Sequence, residues 1–401
     1  MNAASPNPGW SVSLLAWGEP AHPRTFSGYS RYLGQALRRH GVLRREFSNK
    51  QVRVHDALFG ALALRVSDGR LRAEVRRGWM WSDRGSRALD RRIAGVLRAS
   101  GERGAILQIG TLTEVPPDIG PHYVLTDMTI PQAYRAGMFA VASMSPGARR
   151  QATDVQRRVF ANAAHVFTLT QWTKQSVLED FGVDDADVTV VHAGSNLVIP
   201  AGATEPKGRR EILFVGIDWE RKGGPLLLDA FRLLRRQLPD ATLRIVGCSP
   251  PVSEPGVTIE GFLDKGDPLQ QERLARFYLG ANCFCLPSLF DPFPNAIIEA
   301  ASVGLATVAI DNGSRREAII HGQTGALAPE ATPEAVAAAL LDVLNDDERC
   351  RQLGAAALER ARREFTWDRV VEKIGRIVRG DATAPAPTSV PAQAPAALVG
   401  K

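Results

Sequence analysis

The sequence lacks several features that would define its class at once. No run of 18 or more apolar residues occurs, which argues against a membrane-spanning helix. The four cysteines include no C-x-x-C pair and the seven histidines no H-x3-H spacing, so we expect neither a redox pair nor a zinc site. The opening "MNAASPNPGW" has no basic start followed by an apolar stretch, and we therefore expect a reduced, cytoplasmic protein without a secretory signal.

Positive charge is concentrated in the first half of the chain. Residues 1–200 carry 25 Lys and Arg against 17 Asp and Glu, whereas residues 201–401 carry 24 against 26. Such a basic half could attract an anionic membrane surface, an acidic glycan or a nucleic acid. Because the arginines are scattered and are not interleaved with aromatic residues, we expect no nucleic acid partner. The simpler interpretation is that these basic side chains lie on solvent-exposed helix faces. Peripheral binding to the inner face of a membrane remains the alternative.

The length and the pattern of apolar residues indicate two α/β domains. A chain of 401 residues exceeds one small domain, and its short apolar runs alternate with helical patterns, which is typical of parallel, doubly wound sheets. The strands predicted in the first half are 11–17, 105–110, 122–128, 165–170 and 188–194, and the predicted helices are 28–41, 86–100, 146–164 and 172–180. The rest of residues 44–104 gives no clear pattern.

A break in this alternation separates the two domains. Residues 196–211 combine Pro, Gly and charged residues and are interpreted as the interdomain linker. Beyond it the predicted strands are 212–217, 241–247, 257–262, 283–288 and 306–310, and the predicted helices are 224–238, 267–281, 294–303 and 314–322, with three more in 333–379. Residues 1–10 are predicted to be flexible and the Ala/Pro-rich residues 381–401 to be disordered. The result is two Rossmann-like lobes, 11–200 and 201–367, around a cleft suited to a ligand.

The stretch "LPSLFDPFPNAIIEAASVGLATVAI" contains two acids, Asp291 and Glu299, that could face this cleft. Pro294 suits the first turn of a helix, which places Asp291 on the loop before that helix and Glu299 within it. The N–H groups of residues 293–297 would then point towards the cleft and attract anions. Carboxylates that accept sugar hydroxyls, beside N–H groups that bind phosphate, suit a sugar phosphate ester. The simpler alternative is that Asp291 caps the helix and Glu299 is solvated.

The segment "FDPFPNAIIEAASVGLATVA" resembles the E-x7-E motif of the family-4 retaining glycosyltransferases of GT-B fold, also called group 1 glycosyltransferases, with Asp291 in place of the first Glu. Three more segments resemble this family: "ILFVGIDWERKGGPLLLDAFRLLRRQLPDATLRIVG", "VTIEGFLDKGDPLQQERLARFYLGANCFCLPS" and "GSRREAIIHGQTGALAPEATPEAVAAALLDVLND". The resemblance is dense between residues 211 and 379. In the first half it is patchy and is carried by "RTFSGYSRYLGQALRRHG" and "VFTLTQWTKQSVLEDFGVDDADVTVVHAGSN".

The resemblance implies a fold, a reaction and its partners. The fold is α/β, with two Rossmann-like lobes whose parallel sheets face a central cleft. Residues 11–200 would form the acceptor side and residues 201–367 the donor side, and helix 368–380 would return to the first lobe. The reaction would move a sugar from a UDP- or GDP-sugar to an acceptor hydroxyl of a glycan, glycolipid or small molecule, with retained configuration and no metal cofactor. Bacterial cell-surface polysaccharide or glycolipid synthesis is the expected setting.

The resemblance also implies catalytic roles for four residues. Lys222 corresponds to the lysine that stabilises the diphosphate leaving group, and Asp291 to the acid that holds the transferred sugar. The family usually carries an Arg five residues before this lysine, where this chain has Ile217, and Arg221 could supply the missing guanidinium. Asp127 follows a predicted strand at a position where many members have His, and it could contact the donor sugar or the acceptor. A loop-capping acid is the alternative for Asp127.

Other positions are implied to bind the donor. Glu299 corresponds to the acid that accepts hydrogen bonds from the ribose hydroxyls, and Gly28 would let the backbone approach the diphosphate. The remaining donor-binding positions are Gly216, Phe262, Phe293, Pro294, Asn295, Ala296, Gly313 and Ser314. The backbone of Phe262 would contact the base, so this position does not separate uracil from guanine.

Two other functions remain open at this point. A nucleotide-sugar 2-epimerase could use the same scaffold. A non-catalytic protein that binds nucleotide sugars would fit the departures from the family at Ile217 and Asp291. The acidic run "DDAD" at residues 184–187 is interpreted as solvated acids in a connecting loop, and no metal ligands are predicted.

Overall fold

The structure is a computed structural model of the 401-residue chain. It describes residues 9–23, 25–49, 66–67, 70–71, 80–205 and 210–381. The predictions for the flexible start and the disordered tail therefore lie, except for three residues, outside the described residues, as does part of the predicted linker. Two α/β lobes form within the described ranges.

The first lobe is built on a six-stranded sheet in which all neighbouring strands are parallel. Its strands are β1 (Val12–Ala16), β2 (Leu43–Ser48), β5 (Ile106–Ile109), β6 (His122–Thr126), β7 (His165–Thr168) and β8 (Val188–Val190), in the order β2-β1-β5-β6-β7-β8. Two short strands, β3 (Val66–Ser67) and β4 (Arg70–Leu71), pair with each other. Strand β2 was not predicted because its sequence "LRREFS" is mostly polar, as an edge strand allows.

The second lobe repeats this arrangement with another six-stranded parallel sheet. Its strands are β9 (Glu211–Val215), β10 (Thr242–Val246), β11 (Val257–Gly261), β12 (Cys283–Leu286), β13 (Ala306–Ile310) and β14 (Gly325–Ala328), in the order β11-β10-β9-β12-β13-β14. The predicted α/β class with two parallel sheets is therefore confirmed. All five strands predicted for this half are present.

Helices connect the strands in both lobes. Those of the first lobe are α1 (Tyr29–Arg39), α2 (Asp83–Ala99), α3 (Ile130–Arg135), α4 (Phe139–Ala142), α5 (Pro146–Ala161) and α6 (Gln171–Phe181). The helices that follow are α7 (Gly224–Arg235), α8 (Pro268–Gly280), α9 (Asn295–Ser302), α10 (Arg315–Ala318), α11 (Pro333–Leu344), α12 (Asp347–Glu364) and α13 (Trp367–Arg379). Ser, Thr or Asp side chains cap several of their N-termini, as Ser82 does for α2 and Thr366 for α13.

One predicted helix is much shorter in the structure, and the strand after it was not predicted. The helix expected over 314–322 contains only Arg315–Ala318, because the next residue is extended and Gly322 turns the chain at a φ of 74°. The chain then enters β14. Its sequence "GALA" contains none of the β-branched or aromatic residues that favour strands.

A single cluster of buried apolar side chains extends through both lobes. It includes Leu14 of β1, beside the edge strand of the first sheet, Phe214 of β9, at the centre of the second sheet, and Trp367 at the start of α13. Each large apolar side chain that is buried stabilises the folded protein by about 1.5–3 kcal/mol. The contact between the lobes is therefore part of the core in this structure.

The last helix, α13, lies against the first lobe. Asp368 at its start pairs with Arg39 at 2.8 Å and with His40 at 3.0 Å, both at the end of α1. Lys373 donates to the carbonyl oxygens of Val190 and Val191, each at 3.4 Å. These contacts join the second lobe to α1 and to the end of β8.

The contact between the start of α13 and residues 194–196, called the crossing below, is closely packed at Gly194. A Cβ at this position would lie 2.4 Å from the backbone nitrogen of Trp367. The Trp367 indole donates to the Asn196 side chain at 3.0 Å, and the Asn196 amide donates to the Ser27 carbonyl at 3.0 Å. The absence of a side chain at residue 194 lets α13 approach the first lobe closely.

We predict that Gly194→Ala destabilises the protein by about 1–3 kcal/mol, since the added methyl group must displace the Trp367 backbone. The midpoint of urea unfolding measures this loss. Gly95→Ala is the matched control, because a Cβ there meets nothing within 4 Å and alanine favours helix α2 by about 0.5–1 kcal/mol. A Gly194→Ala variant as stable as the wild type would contradict the close packing at this crossing.

Candidate active site

The residues predicted for catalysis lie at the carboxyl ends of strands in both sheets. Asp127 follows β6 in the first lobe, whereas Lys222 follows β9 and Asp291 follows β12 in the second. Ligands of parallel sheets bind outside these strand ends, between the lobes. The position therefore suits a site in the cleft.

Lys222 and Asp291 form an ion pair at the centre of this region. The lysine Nζ donates to Oδ2 of the aspartate, and both side chains are largely buried. Gly216 leaves room for the lysine stem, because a Cβ there would lie 3.0 Å from Lys222 Cγ. Gly223 packs against the carbonyl of Pro287, with no room for a side chain. The two glycines hold the lysine over the loop that carries Asp291.

Glu299 is buried within α9, and both of its carboxylate oxygens have partners. Its side chain is 1% exposed and accepts a hydrogen bond from the Tyr278 hydroxyl at 2.9 Å. Lys265 donates to the other oxygen at 2.5 Å. A ribose that binds Glu299 would have to share this carboxylate with Lys265 or displace the lysine.

Three acids act on one buried tyrosine of the first lobe. The Tyr29 hydroxyl donates across the cleft to the Phe293 carbonyl at 3.3 Å. Burial, followed by the charges of Asp127, Asp291 and Glu299, raises the pKa of Tyr29 well above its usual value. The three carboxylates therefore lie near enough to Tyr29 for their charges to act on its hydroxyl.

Asp127 holds its proton more tightly than an exposed aspartate does. Burial and, to a smaller extent, the charge of Asp291 raise its pKa to about 6. Its carbonyl accepts a hydrogen bond from the Thr173 hydroxyl at 2.8 Å, which holds the loop after β6 against α6. Strongly shifted acids of this kind are common in functional sites.

The start of α9 offers fewer free N–H groups than the sequence suggested. Pro294 has none, the N–H of Asn295 donates to the Phe293 carbonyl at 3.0 Å, and that of Ile297 donates to the Pro294 carbonyl at 2.9 Å. The Asn295 side-chain amide is buried, and neither polar atom has a partner among the described residues. Ala296 is the next residue of the same turn.

The other predicted donor positions lie on loops around this centre. Gly28 precedes α1 at a φ of 89°, and a Cβ there would lie 3.4 Å from the Asn196 amide. The left-handed backbone at this position is thus enough to explain the glycine. The Ser314 hydroxyl donates to the Asp291 carbonyl at 2.9 Å, and Gly313 beside it faces Trp172 of the first lobe. Phe262 follows β11 with its side chain 46% exposed.

Glu317 connects the two lobes at this site. Its carboxylate accepts the N–H groups of Gln171 at 2.7 Å and of Trp172 at 3.0 Å, at the start of α6. A negative charge is favourable at a helix N-terminus. The loop after β13 is thereby fixed to the first lobe.

Arginines lie on both sides of the Asp291 loop. Arg221 donates to the Phe290 carbonyl at 3.2 Å and to Asp218 at 3.3 Å, and its side chain is 39% exposed. Arg315 is buried and donates to the Ser288 carbonyl at 2.6 Å. Ile217 is 72% exposed and fills no part of the site.

The sequence did not single out four residues of this region: Tyr29, Lys265, Tyr278 and Arg315. Their partners lie between 21 and 264 positions away along the chain. Only the tertiary fold brings them together, and no local spacing indicates them.

The acidic run at 184–187 lies away from the site. Asp185 pairs with Lys174 at 2.8 Å on the first lobe. Within the described ranges, no three His, Cys, Asp or Glu side chains are grouped so that they could hold a metal ion. Nor is any helix of the described chain long and apolar enough to cross a membrane.

The segment with Lys222, Asp291 and Glu299 also has recognisable relatives. Residues 198–360 match the family model "Glycosyl transferases group 1". The matched region covers the sheet of the second lobe and excludes Asp127. Sequence similarity to this family is therefore established for the lobe that carries the Lys222–Asp291 pair.

Individual relatives agree with this match. The D-inositol 3-phosphate glycosyltransferase of Corynebacterium diphtheriae is 27% identical over 57% of this chain and 58% of its own length. The phosphatidyl-myo-inositol mannosyltransferase of Mycolicibacterium smegmatis is 31% identical over 43% of this chain and 45% of its own. The chain thus matches about half the length of these curated relatives.

Similarity to solved structures extends over both lobes. The sucrose-phosphate synthase of Thermosynechococcus elongatus superposes with a TM-score of 0.67 at 20% identity, covering 92% of this chain and 98% of that one. At this identity the similarity concerns the fold alone. Together with the two parallel sheets, it establishes the predicted GT-B fold.

The raised pKa of Asp127 makes the stability of the protein depend on pH. Because the folded protein keeps the proton up to about pH 6 and an unfolded aspartate loses it near pH 4, ionisation of Asp127 reduces stability as the pH rises from about 4 to 6. We predict that Asp127→Asn is more stable than the wild type by about 2 kcal/mol at pH 8 and by about half of that at pH 5.

Urea unfolding at the two pH values measures this difference. Asp118→Asn is the control, since the Arg98 guanidinium lowers the pKa of Asp118, and its substitution should give no gain at pH 8. An Asp127→Asn variant that gains no stability at pH 8 would show that folding does not raise the pKa of this carboxyl group.

Proposed function

We propose that the protein is a retaining glycosyltransferase that moves a sugar from a UDP- or GDP-sugar to an acceptor hydroxyl of a glycan, glycolipid or small molecule. The observation that carries this proposal is the convergence of Lys222 and the acids Asp291 and Glu299 between two GT-B lobes. These residues lie in the segment that matches group 1 glycosyltransferases. A cation beside two hydroxyl acceptors suits a donor made of diphosphate, ribose and sugar.

Each side chain has a role that its present contacts support. Lys222 would turn from Asp291 towards the diphosphate, which leaves the Asp291 carboxylate free to accept a hydroxyl of the donor sugar. Glu299 would accept the ribose hydroxyls once Lys265 moves aside, while Tyr278 keeps the carboxylate in place. Binding therefore exchanges ion pairs within the protein for contacts with the donor.

In the proposed reaction, the acceptor oxygen forms a bond to the anomeric carbon on the face from which the diphosphate leaves. The bond between that carbon and the phosphate oxygen breaks, and the leaving phosphate takes the proton of the acceptor hydroxyl. Lys222 stabilises the negative charge that develops on the diphosphate. Asp127, ionised at neutral pH, would hold a hydroxyl of the sugar or the acceptor from the first lobe.

The acceptor would bind on the first lobe, outside the matched segment. The names of two relatives contain D-inositol 3-phosphate and phosphatidyl-myo-inositol. These names favour a polyol, glycan or glycolipid acceptor, as used in bacterial cell-surface synthesis. The excess of positive charge in residues 1–200 would help a cytoplasmic enzyme reach an anionic membrane surface that carries such an acceptor.

We predict that Lys222→Ala lowers kcat by about 100-fold or more, with a smaller loss of donor affinity, because the charge that stabilises the leaving group is removed. The assay measures nucleoside diphosphate release from a panel of UDP- and GDP-sugars with purified protein. Arg87→Ala, which removes an exposed cation of α2 that pairs with Asp83, is the control and should retain activity. A kcat for Lys222→Ala within about twofold of the wild type would contradict the role of this lysine.

We also predict that sugar transfer continues in EDTA. In the proposed reaction Lys222 stabilises the leaving group, and no side chain is assigned as a metal ligand. Rates are compared with and without the chelator on the same donor. Activity that is lost in EDTA and restored by Mn²⁺ or Mg²⁺ would overturn this part of the proposal.

The products distinguish the remaining alternatives. A 2-epimerase would convert the donor to its C2 epimer without an acceptor, and a non-catalytic protein would bind the donor without turnover. NMR of the glycoside product shows whether the anomeric configuration is retained.

A further inference from the structure

Arg315 is a buried cation without an ion-pair partner among the described residues. Its side chain is 2% exposed, and its guanidinium donates to two backbone carbonyls, those of Ser288 at 2.6 Å and Asp291 at 3.4 Å. Its Nε has no partner among the described residues. Burial lowers the pKa of Arg315 to about 10, so it remains charged at neutral pH. A buried charge without a partner is costly.

The nearby charges do not compensate for this cation. Asp291 attracts Arg315 and Arg221 repels it, but the Asp291 carboxylate already pairs with Lys222. Arg221 in turn has its own partner, Asp218. Of the three cations that contact residues 288–291, Lys222 pairs with Asp291 and Arg221 with Asp218, whereas Arg315 pairs with no carboxylate of the described residues. An anion bound here would give Arg315 an ion-pair partner.

Arg315 lies at the boundary between the lobes. Its neighbour Ser314 donates to the Asp291 carbonyl, and Glu317, two residues later, binds the start of α6 in the first lobe. The Arg221 side chain is 39% exposed, and its guanidinium is held by Asp218 and by the Phe290 carbonyl. Arg315 therefore contacts the Asp291 loop beside the residues that join the two lobes, and its Nε–H is a donor that no described residue takes.

We propose that Arg315, and not Arg221, is the second cation that binds the donor diphosphate beside Lys222, since the position of the family's arginine is occupied by Ile217. This inference rests on the proposed function, from which it takes the diphosphate. The free Nε–H and the two Nη groups would donate to non-bridging phosphate oxygens. No proton is transferred, and the arginine stabilises the diphosphate as it leaves.

The test compares arginine variants with three ligands by isothermal titration calorimetry. The ligands are the nucleoside diphosphate that the wild type binds, UDP or GDP, with the corresponding monophosphate and nucleoside. We expect Arg315→Met to weaken diphosphate binding by about 10- to 100-fold, with nucleoside binding unchanged within about twofold. Arg315→Lys should recover part of the loss. Arg232→Met is the matched control, since this arginine pairs with Glu254 on the surface.

The outcomes separate this inference from the proposed function. If the wild type binds neither UDP nor GDP, both are overturned. If it binds one of them and Arg315→Met binds it equally well, or loses diphosphate and nucleoside to the same extent, the role of Arg315 alone is overturned. The role of Arg315 is also overturned if Arg221→Met weakens diphosphate binding more than Arg315→Met does. Should Arg315→Met fail to fold, Arg315→Gln keeps a donor for the Ser288 carbonyl and tests the charge.

Discussion

The ion pair between Lys222 and Asp291 is the interaction on which the rest of the site depends. It joins the loop after β9 to the loop after β12, and glycines at 216 and 223 provide the space that it needs. Removing one partner of a buried pair leaves an uncompensated charge, which costs about 3–5 kcal/mol. A ligand can replace the pair only if it offers both an anion for the lysine and a donor for the aspartate. A sugar diphosphate has both.

The same region also joins the two lobes. Tyr29 and Glu317 cross the cleft beside Asp291, while Asn196 and Trp367 hold the crossing farther away. Lys265 and Tyr278 both bind the Glu299 carboxylate. A donor that binds Glu299 would therefore have to share the carboxylate with Lys265 or displace it.

Much of the fold could be predicted from the sequence, because apolar runs mark buried parallel strands. The polar edge strand β2 and the small-residue strand β14 were missed, since neither carries that signal. At the site, spacing within one segment indicated Asp291 and Glu299. It could not indicate Arg315 or Lys265, whose contacts are made between segments that only the fold brings together.

The central claim is that a nucleotide sugar binds between the lobes at the Lys222–Asp291 pair. Hydrogen–deuterium exchange of the whole protein, with and without UDP or GDP, tests it directly. We predict slower exchange in the loop of 287–294, the start of α9 and residues 311–318, with no change in α2. Unchanged exchange in these segments under saturating nucleotide, or protection confined to other surfaces, would contradict it.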